Sequence, residues 1–259
     1  MKGILLVGFG NMGSAIYKGL KASVPETMLY VAEKHLESSA LVLNKTKDVN
    51  EFLEKVDTII VAVKPQSFDE LCASFSERVK DKLIISVMAG VSVKTIQEKL
   101  KVKKVIRTMP NLNIKVSRGL FGWIASSFVS DMEKELFKEM VCGFGEVVEV
   151  SKEEKIDLIT ALSGSGPAYF FYLTEILQEK ALEFGFSKEE ARKIAKSTFV
   201  GSALLLDSDT KEAKEWREAV TSKGGTTEAA LNHLAKEGFN KIFKDAISQA
   251  SNRAKELNN

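Results

Sequence analysis

Short runs of consecutive apolar residues recur over the first 150 positions and then give way to helical spacing. Ile4–Val7, Met28–Ala32, residues 58–63 (TIIVAV), Leu83–Val87, Val105–Thr108, Leu120–Ala125 and Val147–Val150 predict strands. The near-continuous ones are what a parallel sheet covered on both faces requires. Between them, apolar positions three and four apart predict helices over Met12–Leu20, Phe68–Val79, Val93–Leu100 and Met132–Met140, with shorter helical pieces at Leu36–Asn44 and Val49–Val56. Ser130 with Glu133 three residues on forms a capping box for the Met132–Met140 helix. This alternation predicts an α/β fold, a doubly wound sheet over residues 1–151.

After Val150 no strand is predicted. Helices are expected over 188–206, Lys211–Val220, Glu228–Lys236 and Asn240–Leu257, with Ser187 and Glu190 capping the first. Before them comes a helix that Pro167 opens and Gly185 stops. Its aromatics at 169–172 run round much of its circumference, the mark of a buried helix. A domain of about 110 residues rarely hides such a helix alone, so a dimer interface is expected. Residues 152–259 therefore read as an all-helical second domain, joined to the first by a helix rather than a flexible tether.

Glycines add chemistry to the first strand. Gly8, Gly10 and Gly13 fall in the spacing G-x-G-x-x-G between Ile4–Val7 and the first helix. That is the context in which the first glycine makes the turn, the second admits a pyrophosphate and the third lets helix and strand pack closely. Free N–H groups and the helix dipole then favour the phosphate charge. Glu33, at the end of the second strand and 20 residues past Gly13, is placed to accept from the ribose hydroxyls of NAD; Lys34 and His35 beside it are placed to hold the 2′-phosphate of NADP. The coenzyme preference stays open at this point. Ala62-Val63-Lys64-Pro65 leaves the carboxyl end of a central strand and would wall the nucleotide site. Met88-Ala89-Gly90 ends another strand; small residues there admit a flat nicotinamide ring, and equally suit an ordinary tight turn.

A second glycine-rich turn, TSKGGTT at 221–227, opens a helix. The N–H groups of Gly225, Thr226 and Thr227, with the Ser222 hydroxyl, would bind a small carboxylate, although N-capping by Thr226 or Thr227 alone also accounts for the pattern. The net charge of +2 gives no reason to expect nucleic acid or an anionic membrane as partner. No apolar run is long enough to cross a bilayer, and residues 4–7 are too short for the core of a secretory signal. Cys72 and Cys142 fit no disulfide or zinc pattern and read as core residues of a cytoplasmic protein. His35 and His233 are the only histidines, and neither sits at a motif, which speaks against a histidine-based metal cluster or a Ser-His-Asp triad. The lack of strong acid–base machinery fits reduction of a C=N bond, because a protonated imine is already an electrophile and orientation supplies most of the work.

With both turns located, the chain resembles the pyrroline-5-carboxylate reductases along essentially its whole length. The marks are GFGNMG at 8–13, AVKP at 62–65, SVMAG at 86–90, RTMPN at 107–111, LSGSGPAY at 162–169 and VTSKGGTT at 220–227. The resemblance implies reduction of L-1-pyrroline-5-carboxylate to L-proline with NADPH or NADH, by a Rossmann domain followed by a helical domain that interleaves with its twin in a dimer, in some members within a larger ring. It implies that Val7, Gly8, Phe9, Gly10, Asn11 and Met12 hold the pyrophosphate, and that Ala62–Pro65 and Met88–Gly90 flank the adenosine-ribose and nicotinamide parts. Gly225, Thr226 and Thr227 would cradle the substrate carboxylate, Thr227 would hydrogen-bond the ring nitrogen, and Thr160 and Glu153 would line the same pocket. There are three departures from the usual pattern: Lys223 stands where the turn has proline, Leu112-Asn113 follows MPN in place of a small polar residue and proline, and Glu33 stands where NADPH users often have Ser or Thr.

Overall fold

A computed structural model describes residues 2–35 and 42–256. The described residues form two compact units, one running to Ser165 and taking in those from Ala250 on, the other spanning Gly166–Gln249.

The first unit is built on eight strands: β1 (Ile4–Val7), β2 (Leu29–Ala32), β3 (Asn44–Thr46), β4 (Thr58–Val61), β5 (Leu83–Ser86), β6 (Val105–Pro110), β7 (Gly119–Ala125) and β8 (Gly145–Glu149). They lie in the order β3-β2-β1-β4-β5-β6-β7-β8. Every neighbouring pair is parallel except β6 with β7. Strand order reverses between β1 and β4, which makes a crevice beyond their carboxyl ends the natural ligand site. β1, β4 and β5 are buried residue after residue because helices cover both faces: Leu6, Ile60 and Ile85 enter one core, and Leu5, Ile59 and Ile84 the other. The first core packs on α1 (Asn11–Leu20) and α4 (Asp131–Val141), the second on α2 (Phe68–Ser74) and α3 (Val93–Leu100). Trp123 on β7 is fully buried against Phe137 of α4, with ring centroids 5.2 Å apart. The expected capping box on α4 is present in full.

Some expectations need correction. Val49–Val56 is not a helix, although Val49, Phe52, Leu53 and Val56 are all buried at the helical spacing. Side chains take the local backbone groups instead: Asp48 Oδ1 accepts from the Asn50 N–H at 2.9 Å, and Asn50 Oδ1 accepts from the Ser76 N–H at 2.7 Å. Only Leu53–Lys55 winds into a 3₁₀ turn. The helix from Phe68 stops at Ser74 rather than Val79, because Asn50 Nδ2 donates to the Ser74 carbonyl at 2.8 Å and Phe75 turns extended. The helix expected at Leu36–Asn44 falls mainly on residues 36–41, outside the described residues; its last residue, Asn44, opens β3. β6 runs on to Pro110, whose missing N–H costs nothing at a strand end. Cys142 is exposed at the end of α4 and is not a core residue, whereas Cys72 is half-buried and packs on the edge of the second core.

After Val150 the described residues form helices joined by turns, with no strand. α5 (Glu154–Ile159) passes into a single π-helical turn, Thr160–Gly164, and then α6 (Gly166–Glu183). α7 (Lys188–Ser208), α8 (Ala213–Ala219), α9 (Thr226–Lys236) and α10 (Phe239–Glu256) follow. α7 carries the expected Ser187–Glu190 capping box. α8 starts two residues later than expected because Glu212 and Glu215 cap it reciprocally. Within the second unit Phe170 meets Phe199 and Tyr169 meets Phe243, at 5.7 and 5.8 Å between ring centroids. Yet Phe171 and Tyr172 are 58% and 63% exposed, and Leu204, Leu205 and Leu206 are exposed too. No helix among the described residues is long and apolar enough to cross a membrane.

The tightest point in the first unit is the turn from β1 to α1. A Cβ on Gly13 would lie 2.1 Å from the Gly8 carbonyl oxygen. Gly13→Ala is therefore expected to destabilise the protein by roughly 1–3 kcal/mol, the usual range for overpacking, measured by denaturant unfolding.

Candidate active site

A cleft of about 470 Å³ opens beyond the carboxyl ends of β1, β2 and β4. It brings together Val7, Gly8, Gly10, Glu33, Lys34, His35, Ala62, Val63 and Lys64, drawn from three strand ends separated in sequence. Gly8 adopts φ +94°, and a Cβ there would lie 2.7 Å from the Ala62 carbonyl oxygen, so only glycine makes this turn. Gly10 behaves in the opposite way. Its missing Cβ faces open space, with no atom within 4 Å, on the wall of the cleft. Gly10 also precedes α1 without any side-chain cap, which leaves the first N–H groups of the helix unpartnered by a cap. A close approach, free N–H groups and the positive end of a helix dipole fit a dinucleotide pyrophosphate.

The remaining loop residues contribute backbone rather than side chain. Phe9 and Met12 pack on the core, Phe9 edge-on to Tyr17 at 5.5 Å. Asn11 is the first residue of α1 and Pro65 opens a 3₁₀ turn; neither lines the cleft.

Glu33 is fixed by main-chain donors. Its Oε2 accepts from the Phe9 N–H at 2.6 Å and its Oε1 from the His35 N–H at 3.0 Å. Both oxygens keep a lone pair for a ribose diol. Lys34 Nζ pairs with Glu70 Oε1 at 2.5 Å. Both side chains are mostly exposed, so the pair is worth at most about 1 kcal/mol and does not tie the lysine down. The cleft also holds Lys47 and Asp48, just past the end of β3, which the sequence pattern did not reveal because β3 is three residues long and mostly polar. Cys72, next to the cleft residue Leu71, has its thiol pushed up to about 11 by burial and by Asp69, which removes it as a nucleophile at neutral pH.

Met88, Ala89 and Gly90 do not line this cleft. They leave β5 one strand further along the sheet: Met88 is buried in the core, Ala89 packs on Met109 and Ile156, and Gly90 turns with φ +70°. Beside them β6 carries a fully buried cation. Arg107 Nη1 meets Glu153 Oε1 and Nη2 meets Asp157 Oδ1, both at 2.9 Å. Glu153 Oε1 also accepts from the Val93 N–H at 2.8 Å. Both contacts use the same oxygen, Oε1, and the side chain stays 29% exposed. Thr160 donates its hydroxyl to the Ile156 carbonyl at 2.8 Å, and Ser163 Oγ in the π turn is met by Asn111 Nδ2 at 3.0 Å.

The turn before α9 lies in the second unit. Gly224 takes φ +73° and donates to Glu228 Oε2 at 2.7 Å. Gly225 donates to the Ser222 carbonyl at 3.0 Å, so its N–H closes the turn and is not available to an anion. A Cβ on Gly225 would lie 2.4 Å from Ser222 Oγ. α9 starts at Thr226, two residues earlier than expected, with no side-chain cap; the N–H groups of Thr226 and Thr227 therefore point off the helix end. Simple N-capping by either threonine is not what the structure shows. Lys223 is exposed and forms no ion pair among the described residues.

A family model described as pyrroline-5-carboxylate reductase dimerisation matches residues 153–257, and one described as NADP oxidoreductase, coenzyme F420-dependent, matches residues 3–90. The pyrroline-5-carboxylate reductase of Aquifex aeolicus is 33% identical over 97% of this chain and 96% of its own length. The chain belongs to the pyrroline-5-carboxylate reductase family. Among solved family members, the Coxiella burnetii enzyme is 32% identical, covers 99% of this chain and 98% of its own, and superposes with a TM-score of 0.90. The Plasmodium falciparum pyrroline carboxylate reductase, solved with NADP bound, is 25% identical over 99% of this chain and 98% of its own, with a TM-score of 0.88. In family terms, the eight-stranded sheet and the helical region after it are the expected α/β layout.

Two outcomes are expected here. Glu33→Ser removes a carboxylate that would repel a 2′-phosphate and should shift the NADPH-to-NADH ratio of dissociation constants towards NADPH by about tenfold, the effect of roughly 1.4 kcal/mol; an unchanged ratio assigns the choice to Lys34 and His35. Arg107→Met leaves two carboxylates without their partner and should lower unfolding free energy by roughly 3–5 kcal/mol in a denaturant titration.

Proposed function

We infer that the chain reduces L-1-pyrroline-5-carboxylate to L-proline, the last step of proline biosynthesis, as an NAD(P)H-dependent oxidoreductase. Family membership along the whole length carries this reading, together with the fit of the Gly8–Gly13 turn to a dinucleotide. The coenzyme, when bound, supplies the hydride that the carbon of the C=N bond takes up. The rest is done by the chain's own groups. Residues 1–151 bind the coenzyme: backbone from Val7 to Met12 holds the pyrophosphate, Glu33 meets the adenosine ribose, and Ala62–Pro65 with Met88–Gly90 wall the two halves. Residues 152–259 supply the substrate turn and the dimer contact. The N–H groups of Thr226 and Thr227 at the positive end of α9 hold the substrate carboxylate, with the Ser222 hydroxyl beside them. The Thr227 hydroxyl hydrogen-bonds the ring nitrogen. The protonated imine brings its own positive charge, and hydride delivery leaves a neutral amine, so no strong acid is required.

The exposed aromatic face of α6 and the match to a dimerisation region support a homodimer, which can build into a larger ring. Two cysteines without a disulfide suit the reducing cytoplasm. A small-molecule substrate, with neither nucleic acid nor membrane as partner, agrees with the nearly balanced charge.

Mixing the protein with pyrroline-5-carboxylate and NADH, then NADPH, should consume the near-ultraviolet absorbance of reduced nicotinamide and yield proline. No consumption despite coenzyme binding would shift the reading to another cyclic imine. Thr227→Ala should lower turnover about 10²-fold or more while coenzyme affinity stays within about twofold. Unchanged turnover would remove Thr227 from the reaction. Light scattering of the purified chain should give twice the chain mass or an even multiple of it.

A further inference from the structure

Arg107 and its two carboxylates lie away from the cleft at β1, β2 and β4 that takes the adenosine half of a dinucleotide. In a doubly wound sheet the two halves of the coenzyme lie over the two halves of the sheet. The hydride-bearing ring then falls beyond β4, β5 and β6, against residues 87–92 as they leave β5. Those residues are held from one side. Arg107 stands opposite Ser86, the last residue of β5, in the ladder of β5 and β6. Ser86 Oγ accepts from the Met88 N–H at 3.3 Å. At the far end of the loop, the Val93 N–H donates to Glu153 Oε1 at 2.8 Å. In the middle, Ala89 packs into a small apolar cluster with Met109, Ile156 and Ile159.

The same group of residues grips the other neighbour of that space. Asp157 binds Arg107 from within α5, Ile159 presses on β7 so closely that a Cβ on Gly122 would come within 2.5 Å of it, and Asn111 at the end of β6 reaches Ser163 in the π turn. Glu153 Oε1 joins the two sides. It accepts one hydrogen bond from the loop's Val93 N–H and another from Arg107, which is bound in turn to α5.

We propose that Glu153, oriented by Arg107, is a positioning residue for the nicotinamide half of the coenzyme site. It sets where Met88-Ala89-Gly90 stands relative to the Thr160–Gly164 turn, and so where the ring is held. The proposal rests on the dinucleotide reading above. A carboxylate suits the task because one oxygen accepts from a main-chain N–H and a guanidinium together, and the charge of Arg107 strengthens the grip. Glutamine at this position keeps an accepting oxygen; alanine keeps none and leaves the Val93 N–H without its partner. In both variants Asp157 still binds Arg107, so α5 stays attached to β6.

The test compares two ligands on the full chain. NADH binding is followed by its fluorescence, and ADP-ribose, which lacks the nicotinamide, by calorimetry. Glu153→Ala should weaken NADH about tenfold, the size of one or two unmade hydrogen bonds, while ADP-ribose changes by less than about twofold. Glu153→Gln should restore most of the NADH affinity. Equal weakening of both ligands, or of neither, overturns the proposal and leaves Glu153 a purely structural anchor. Failure of the unaltered protein to bind ADP-ribose, NADH and NADPH alike overturns the dinucleotide reading itself, and the proposal with it. Neither readout depends on turnover of the imine.

Discussion

The packing of Gly13 against the Gly8 carbonyl is the constraint on which the rest of the first unit depends. With any side chain at 13, α1 would be pushed off the end of β1, and its N-terminus would no longer face the cleft. That contact also places Phe9, whose N–H holds the Glu33 carboxylate at the end of β2. One close approach between two glycines thus fixes the N-terminal end of α1, the Glu33 carboxylate and the floor of the cleft together. At Gly10, by contrast, nothing among the described residues occupies the space a side chain would fill.

These glycines were legible in the sequence because their chemistry is local. Spacing, a preceding apolar run and a following helix all lie within about twenty residues, and the resulting strand order agrees at every level with the hydropathy pattern. The capping boxes at Ser130 and Ser187 were legible for the same reason. The Arg107 network was not. Its partners lie 46 and 50 residues away, and a basic residue inside an apolar run says only that something must neutralise it. Lys47 was missed with β3, too short and polar to show a period. Val49–Val56 failed in the opposite direction. The helical spacing of its apolar residues was real, but Asp48 and Asn50 captured the backbone first.

Glu153 and Gly225 show what a structure adds to a family pattern at a single residue. By motif, both belong with the groups around the substrate. In the structure Oε1 of Glu153 is held by Arg107 and Val93, and the Gly225 N–H by the Ser222 carbonyl. Each still bears on the site, by holding a neighbouring segment of chain in place. Glycine at 225 is needed because Ser222 Oγ sits where a side chain would go, and the N–H groups left pointing outward are those of Thr226 and Thr227.

The aromatic face of α6 has a consequence for the chain as a material. Phe171 and Tyr172 lie open to solvent on the single chain, and Leu204–Leu206 of α7 are exposed as well. When a second copy covers such a face, the free energy of folding includes the free energy of association, and mass action makes it depend on protein concentration. Dilution then acts as a mild denaturant of the helical unit. A nascent chain released before it meets a partner carries a sticky surface of the kind that chaperones are built to hold.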